Sequence, residues 1–271
     1  MFRQERQERI LQYINIHKRV TVKELAKIFK TSVVTIRSDI TELDNNGLVV
    51  KMHGGAIAIT DRYNLEIPSK NKARQNTAAK RSIGQLAAGL VEENDIVILD
   101  SGSTALEVAK HLRHKRITVI TTDLQIGAFL ASVNHGDITL IITGGTVEPN
   151  TYTQCGVETL SFLRRFHVNK LFLGCDALDP IKGMSNRTLI EAEIKRAMIE
   201  AAEQVIAVAD STKHNREVFV HVCDTDAIDI LVTDKITKSN CEAFERIGVR
   251  VMTSNGAELS DRGGTNICWK E

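Results

Sequence analysis

Seven short apolar runs punctuate the second two-thirds of the chain: "DIVILD" (95–100), "ITVITT" (117–122), "ITLIIT" (138–143), "NKLFLGCD" (169–176), "QVIAVAD" (204–210), "IDILVTD" (228–234) and "VRVMT" (249–253). Each is apolar at consecutive positions rather than at alternate ones. A strand of that kind is buried on both faces. Helical stretches separate most of them, at 77–91, 104–113, 123–134, 156–166, 188–203 and 239–247. Strand–helix alternation with doubly buried strands restricts residues 76–253 to a mostly parallel α/β sheet covered by helices. Residues 254–271 read as a loose tail.

Residues 1–56 follow another pattern. Residues 3–17 read as a helix with Ile10, Leu11 and Ile14 inward. "TVKELAKIF" opens a second helix, with Thr21 and Glu24 at capping-box spacing. After the turn "KTS", Ser32 caps a third helix whose apolar stripe is Val33, Ile36, Ile40 and Leu43. It ends near Asn45-Asn46-Gly47. "LVVKMHGGAIAI" then reads as two strands split by Gly54-Gly55, a hairpin signal. Three short helices and a hairpin describe a winged helix-turn-helix. Residues 57–75, polar and basic with Pro68, read as a linker.

Off the apolar stripe of the third helix lie Val34, Thr35, Arg37, Ser38 and Thr41, short side chains around one long cation. A solvated helix face more often carries Glu and Lys. Short side chains let a backbone approach the major groove, where Arg37 reaches guanine or phosphate, Thr35 and Ser38 hydrogen-bond, and Val34 meets a thymine methyl. Lys51 and His53 on the wing reach phosphate or the minor groove. Charge agrees with a polyanion-binding head: residues 1–55 hold ten Lys/Arg against six Asp/Glu, whereas 56–271 hold twenty-five against twenty-eight. The expected DNA-contacting residues are therefore Ser32, Val34, Thr35, Arg37, Ser38, Thr41, Lys51 and His53.

In the body, the strand ending at Asp100 is followed by Ser101-Gly102-Ser103-Thr104 and then a helix. Free amides and the dipole at a helix N-terminus attract an anion, and glycine lets phosphate approach the backbone. "TTD" (121–123, with Thr122), "TGGT" (143–146, with Gly144 and Gly145) and "ADSTK" (209–213, with Asp210 and Lys213) follow other strands and can line the same edge. Together they suggest a phosphosugar pocket.

The block "VTVKELAKIFKTSVVTIRSDITELDNNGLVVKMHGGA" resembles the DeoR family of bacterial sugar-metabolism regulators, through T-I-R-x-D and a wing ending H-G-G-A. Ser38 stands where the family usually has a second Arg, and Lys51 where its wing usually has Arg. The resemblance continues over roughly residues 66–235, through the S-G-S-T loop, Gly144-Gly145, the stretch around Asp176, "IKRAM" and Asp210 to Lys213. It implies a sensor domain resembling ribose-5-phosphate isomerase. It also implies a phosphorylated sugar as effector, with phosphate on Ser101, Gly102, Ser103 and Thr104, Asp176 nearby, and Lys213 closing the site.

An isomerase alternative stays open at this point. Asp176 and Asp179, then Lys182-Gly183, then Glu191 approximate that enzyme's pattern, although the Asp179–Lys182 gap is short and "MSNRT" replaces its glycine-rich run. Carboxylates in such a pocket could move protons between sugar carbons. The expectation is a regulator, not an enzyme, that represses a sugar operon. It has no catalytic residue, no cofactor and no metal. Its partners are double-stranded operator DNA, a sugar phosphate and further copies of itself in a dimer or tetramer. The five cysteines are odd in number and none are in CxxC spacing. They read as reduced thiols of a cytoplasmic protein. No apolar run approaches a membrane span, and "MFRQERQERILQYI" is too charged for a secretory segment.

Overall fold

The computed structural model describes residues 3–45, 48–52, 54–58, 69–112, 115–133 and 136–254. The chain divides into two compact units, 1–65 and 66–271.

The first unit contains α1 (Arg3–His17), β1 (Arg19–Thr21), α2 (Val22–Ile28), α3 (Val33–Asn45), β2 (Val49–Met52) and β3 (Gly55–Ala58). Ile10 and Ile14 of α1, Leu25 of α2, and Ile36, Ile40 and Leu43 of α3 make one buried cluster with Val20, Val49, Ala56 and Ala58 of the sheet. The capping box forms: Thr21 Oγ1 accepts the Glu24 amide at 3.1 Å, and Glu24 Oε2 accepts the Thr21 amide at 3.3 Å. β2 and β3 form the expected antiparallel hairpin. β1, too short to be seen as a period, joins it in the order β1-β3-β2. Gly55 is required there, because a Cβ would lie 2.1 Å from the Val20 carbonyl oxygen.

The second unit opens with α4 (Ser69–Arg74) and α5 (Thr77–Ala88). The alternating strands and helices follow: β4 (Ile96–Leu99), α6 (Ser103–Lys110), β5 (Ile117–Thr121), α7 (Leu124–Val133) and β6 (Ile138–Ile142). A small hairpin, β7 (Thr146–Val147) with β8 (Gln154–Cys155), precedes α8 (Val157–Leu163) and β9 (Val168–Leu173). Then come β10 (Ala177–Asp179), β11 (Gly183–Asn186), α9 (Leu189–Glu200), β12 (Ala202–Val208), β13 (Val220–Cys223), β14 (Ile230–Thr233), α10 (Lys238–Ile247) and β15 (Arg250–Thr253).

Seven strands pair in parallel in the order β15-β14-β12-β9-β4-β5-β6. Alternate residues feed opposite faces. Val97 and Leu99 join one buried cluster and Ile98 the other; Phe172 opposes Leu171 and Leu173; Ile206 and Val208 oppose Ala207. That is why these strands are apolar without a break. The neighbours β10, β11 and β13 form an antiparallel sheet of their own.

The stretch 57–75, read as linker, is structured at both ends. Ile57 and Ala58 complete β3, and Ser69–Arg74 is α4, whose Ser69 bonds Asn150 O and Thr151 O. Residues 59–68, and all but the first residue of the tail, lie outside the described residues. Among the described residues no helix is long and apolar enough to cross a membrane.

Candidate nucleic-acid interface and effector cleft

On α3, burial of Ile36, Ile40 and Leu43 turns Val34, Arg37 and Ser38 outward. Val34 is 74% exposed. Ser32 and Thr35 are engaged with each other: the Thr35 amide donates to Ser32 Oγ at 3.0 Å, and their hydroxyls lie 2.8 Å apart. Thr41 Oγ1 donates to the Arg37 carbonyl at 2.7 Å and accepts from Lys51 Nζ at 2.8 Å. The Lys51 amide donates to Asp44 Oδ1 at 3.0 Å. The wing is thus pinned to α3, with Thr41 as the bridge. His53 lies outside the described residues.

Sequence reasoning missed Asp39. It sits on the buried side of α3 and accepts from Arg6 Nε at 2.6 Å, Arg6 Nη2 at 3.2 Å and Gln7 Nε2 at 3.4 Å. Arg3 and Glu42 also pair. The Asp39 contacts tie α1 to the buried side of α3, and the Arg3–Glu42 pair borders the surface that carries Arg37, Ser38 and Thr41. The available signal was an acidic residue one position before Ile40, inside the apolar stripe.

In the second unit, strand order reverses at β4. From β4 the chain proceeds through β5 to β6 on one side and through β9, β12, β14 and β15 on the other. Crevices at such a switch, outside the carboxyl ends of the strands, are where open α/β sheets take ligands. The loops after β4 and β9 flank it. After β4, Ser101, Gly102, Ser103 and Thr104 are half-buried and open α6. Gly102, the residue before the helix, has φ +115° and supplies no side-chain cap. Nothing lies within 4 Å of where its Cβ would be. With no side-chain cap, the first-turn amides of α6 are left without the partner a Ser, Thr, Asp or Asn would supply there. The Gly102 amide itself is already used, donating to Asp123 Oδ2 at 2.9 Å.

Asp123 follows β5, is 2% exposed, and also accepts the Gln125 and Ile126 amides. Burial raises its pKa against those bonds. Beside it, Thr122 Oγ1 is buried without a hydrogen-bond partner. After β6, the Gly144 amide donates to Gln154 Oε1 at 3.2 Å and its carbonyl accepts from Thr159 at 2.7 Å. Gly145 packs so closely that a Cβ would sit 2.3 Å from Thr159 Oγ1. These two glycines shape the loop, and the Gly144 backbone amide and carbonyl are occupied within it.

The loop after β9 holds the densest charge. Asp176 Oδ1 lies 2.9 Å from Lys72 Nζ of α4, and Oδ2 lies 3.9 Å from Arg187 Nε. Burial would raise the Asp176 pKa, but Lys72, then Arg187 and Lys213, hold it well below the usual carboxylate range. Lys213 closes a short 3-10 turn after β12, which Asp210 caps by accepting the Thr212 amide at 3.1 Å. Burial lowers the Lys213 pKa, opposed by Asp176 and aided by Lys72. One layer below, Asp100 accepts from Lys195 of α9 and from the Gly174 amide at 2.9 Å. Burial pushes the Cys175 thiol up to about 12, so it carries no thiolate chemistry.

Lys72 and Arg187 were not expected at the site, while Asp123 lay within the "TTD" stretch and Lys195 within "IKRAM" without a role of their own. Lys195 had a further signal: with Glu191 it occupies core-facing positions of α9 beside Ala192 and Met198. The isomerase pattern is not assembled. Asp179 accepts the Ile181 and Lys182 amides in the β10–β11 turn, and Lys182 pairs with Glu217 at the surface. Glu191 is buried and accepts from Asn186. Among the described residues no group of three His, Cys, Asp or Glu is gathered for a metal.

Residues 6–62 match the model of the DeoR-like helix-turn-helix domain, and residues 75–235 that of the DeoR C terminal sensor domain. The chain belongs to the DeoR family. It is similar to a putative aga operon transcriptional repressor of Escherichia coli O157:H7, 34% identical over 251 residues, covering 92% of this chain and 93% of that one. It is also similar to the HTH-type transcriptional regulator GolR of Listeria innocua, 31% identical, covering 93% and 98%. Among solved structures it matches ribose 5 phosphate isomerase A of Neisseria gonorrhoeae at 20% identity and TM-score 0.36, over 50% of this chain and 52% of that one. Family membership makes the chain a DNA-binding transcriptional regulator rather than an isomerase.

Proposed function

We propose that the chain represses an operon of sugar metabolism and leaves its operator when a phosphorylated sugar binds the cleft between the ends of β4 and β9. One observation carries the ligand reading. The uncapped N-terminus of α6 opens onto the strand-order switch, beside buried polar atoms, Thr122 Oγ1 among them, that make no hydrogen bond within the protein. Ser101, Gly102, Ser103 and Thr104 take the phosphate. Thr122 and Lys213 add a hydroxyl and a mobile cation, and Asp176 takes sugar hydroxyls. Gly144 and Gly145 keep the neighbouring loop out of the way. Repression is supported by the similarity to the putative aga operon transcriptional repressor of Escherichia coli O157:H7. The ligand must bind the operator-competent and operator-released arrangements with different affinity, or it shifts nothing.

On DNA, Arg37 reads a base, Val34 meets a thymine methyl, and Ser32, Thr35, Ser38 and Thr41 order the surface around them. Lys51 and His53 hold phosphate. Two heads on paired half-sites make a dimer or tetramer the working form, in the cytoplasm.

Two measurements test this. In a thermal-shift panel, at least one sugar phosphate stabilises the chain by about 2.7 kcal/mol at a hundred times its dissociation constant, while the unphosphorylated parent does little. Ser103→Asp abolishes the shift and yields a repressor that stays on its operator. Arg37→Ala weakens specific operator binding by about 1–3 kcal/mol at fixed salt. A panel without a stabilising ligand refutes the effector. Unchanged affinity in folded Arg37→Ala refutes the recognition surface.

A further inference from the structure

The cluster around Asp176 holds more polar capacity than the protein itself uses. The Asp176 side chain is 2% exposed and that of Arg187 4%. Neither Asp176 oxygen receives a well-directed hydrogen bond, and Nε and Nη1 of Arg187 and Oδ1 of Asn186 have no hydrogen-bond partner. Buried groups in native proteins are nearly always satisfied, so a remainder of this size asks for an occupant. An anionic acceptor, a guanidinium and an amide oxygen side by side suit vicinal hydroxyls or a hydroxyl next to a carbonyl.

Lys72 differs from the other members of the cluster in where it comes from. It stands on α4, the first element after the segment that leaves the DNA-binding unit. Its backbone carbonyl is gripped by Lys80 Nζ, which also bonds Gln75 O at 2.6 Å. Its ammonium is committed to Asp176 at 2.9 Å. Three cations, Lys72, Arg187 and Lys213, gather at Asp176, and the buried Glu191 adds a second carboxylate that favours the Lys72 ammonium. A hydroxyl donating to Asp176 competes for the position that Lys72 holds, and Arg187 and Lys213 remain to balance the carboxylate when Lys72 leaves.

We propose that Lys72 is a latch on this cleft: the hydroxyl-bearing end of the ligand takes Asp176 and Arg187, displaces the Lys72 ammonium, and so frees α4 at the start of the path back to the DNA-binding unit. The inference rests on the sugar-phosphate reading above and adds to it the residue through which that ligand acts. Coupling is reciprocal, so a chain without the latch already resembles the ligand-bound one.

The full-length chain with Lys72→Met, Lys72→Arg and Asp176→Asn is titrated against operator DNA at fixed salt without any sugar. It is then melted with glucose 6-phosphate, fructose 6-phosphate and galactose 6-phosphate. Ligand-free Lys72→Met binds operator at least tenfold more weakly than the parent, and any hexose phosphate that stabilises the parent stabilises this variant more. Lys72→Arg restores both values. Asp176→Asn, which keeps its shape but loosens its hold on Lys72, also weakens ligand-free operator binding. In the parent, amides of residues 69–76 exchange faster with the stabilising sugar phosphate while those of 103–105 slow.

Folded Lys72→Met with parental operator affinity overturns the latch, as does slower exchange over 69–76. If Lys72→Met does not fold, parental operator affinity in Asp176→Asn overturns it. If no hexose phosphate stabilises the parent, the effector reading fails, and the ligand-free operator titrations still decide the latch.

Discussion

Replacing Asp39 with Ala tests how the DNA-reading surface is held. Asp39 touches no solvent to speak of, its side chain being 1% exposed, and it receives two bonds from Arg6 and one from Gln7. Removing one partner of a buried ion pair costs about 3–5 kcal/mol when the other is left fully buried. Arg6 is 15% exposed, so part of its guanidinium regains water. The cost falls to about 2–3 kcal/mol, near the value for losing one or two charge-assisted hydrogen bonds.

A unit of this size has a total stability of about 3–9 kcal/mol. Asp39→Ala therefore moves opening of α3 from a rare event toward a common one. Hydrogen exchange in the full-length chain reads this directly, as a loss of protection of about 30- to 150-fold at the buried Ile36 and Ile40 amides. Specific operator binding weakens alongside, while amides of the parallel sheet keep their protection. The double variant Arg6→Met, Asp39→Leu removes both charges and recovers most of the loss. Ile40 protection within threefold of the parent in Asp39→Ala refutes the staple. A double variant no better than the single one refutes its electrostatic origin.

Gly145→Ala places a Cβ 2.3 Å from Thr159 Oγ1 and 2.5 Å from the Cys155 carbonyl oxygen at φ +109°. It lowers the melting temperature by several degrees, through a cost of about 2–3 kcal/mol. Gly144→Ala, with φ +79° but open space around it, costs about 1 kcal/mol. Calorimetry that ranks the two alike contradicts this reading of the loop. Lys80 titrates at about 8, because burial disfavours its ammonium more than Asp210 restores it. The folded chain then binds fewer protons than the unfolded one between about pH 8 and the ordinary lysine value of 10.5. The cost of burying this charge is full below pH 8 and fades as pH rises toward 10.5, so this group adds stability across that window. Nitrogen-15 spectra of the lysine side chains check it, with the signal assigned through Lys80→Met. A Lys80 titration above 10 contradicts it.

What was legible in the chain depended on whether a residue's partners are near in sequence. The α3 stripe Ile36, Ile40 and Leu43 is a local period, as is the Thr21–Glu24 capping box, and both are found where the spacing puts them. The seven strands were legible because Val97, Ile98 and Leu99 must satisfy two apolar faces at once. The strand "GMSN" of β11 carries no such period and lies between its near neighbour β10 and β13, which is distant in the chain. Its register comes from those neighbours and from Gly183, where a Cβ would meet the Cys223 carbonyl oxygen at 2.2 Å.

The candidate site divides in the same way. Ser101 through Thr104 announce themselves, because a strand end, a glycine and a helix start are adjacent in sequence. Lys72 does not, because its partner Asp176 comes beside it only once β9 pairs with β4 and α4 is docked by Ser69 on Asn150 and Thr151. Charged residues inside apolar periods, Asp39 on α3 and Glu191 and Lys195 on α9, mark the places where such distant partners must exist. A buried charge without one is too costly to keep. The partners themselves, Arg6 for Asp39 and Asp100 for Lys195, are fixed by the fold. At Asp176 the rule is met by Lys72 and Arg187, and what the fold leaves over there is hydrogen-bonding capacity, on Nε and Nη1 of Arg187, rather than unpaired charge.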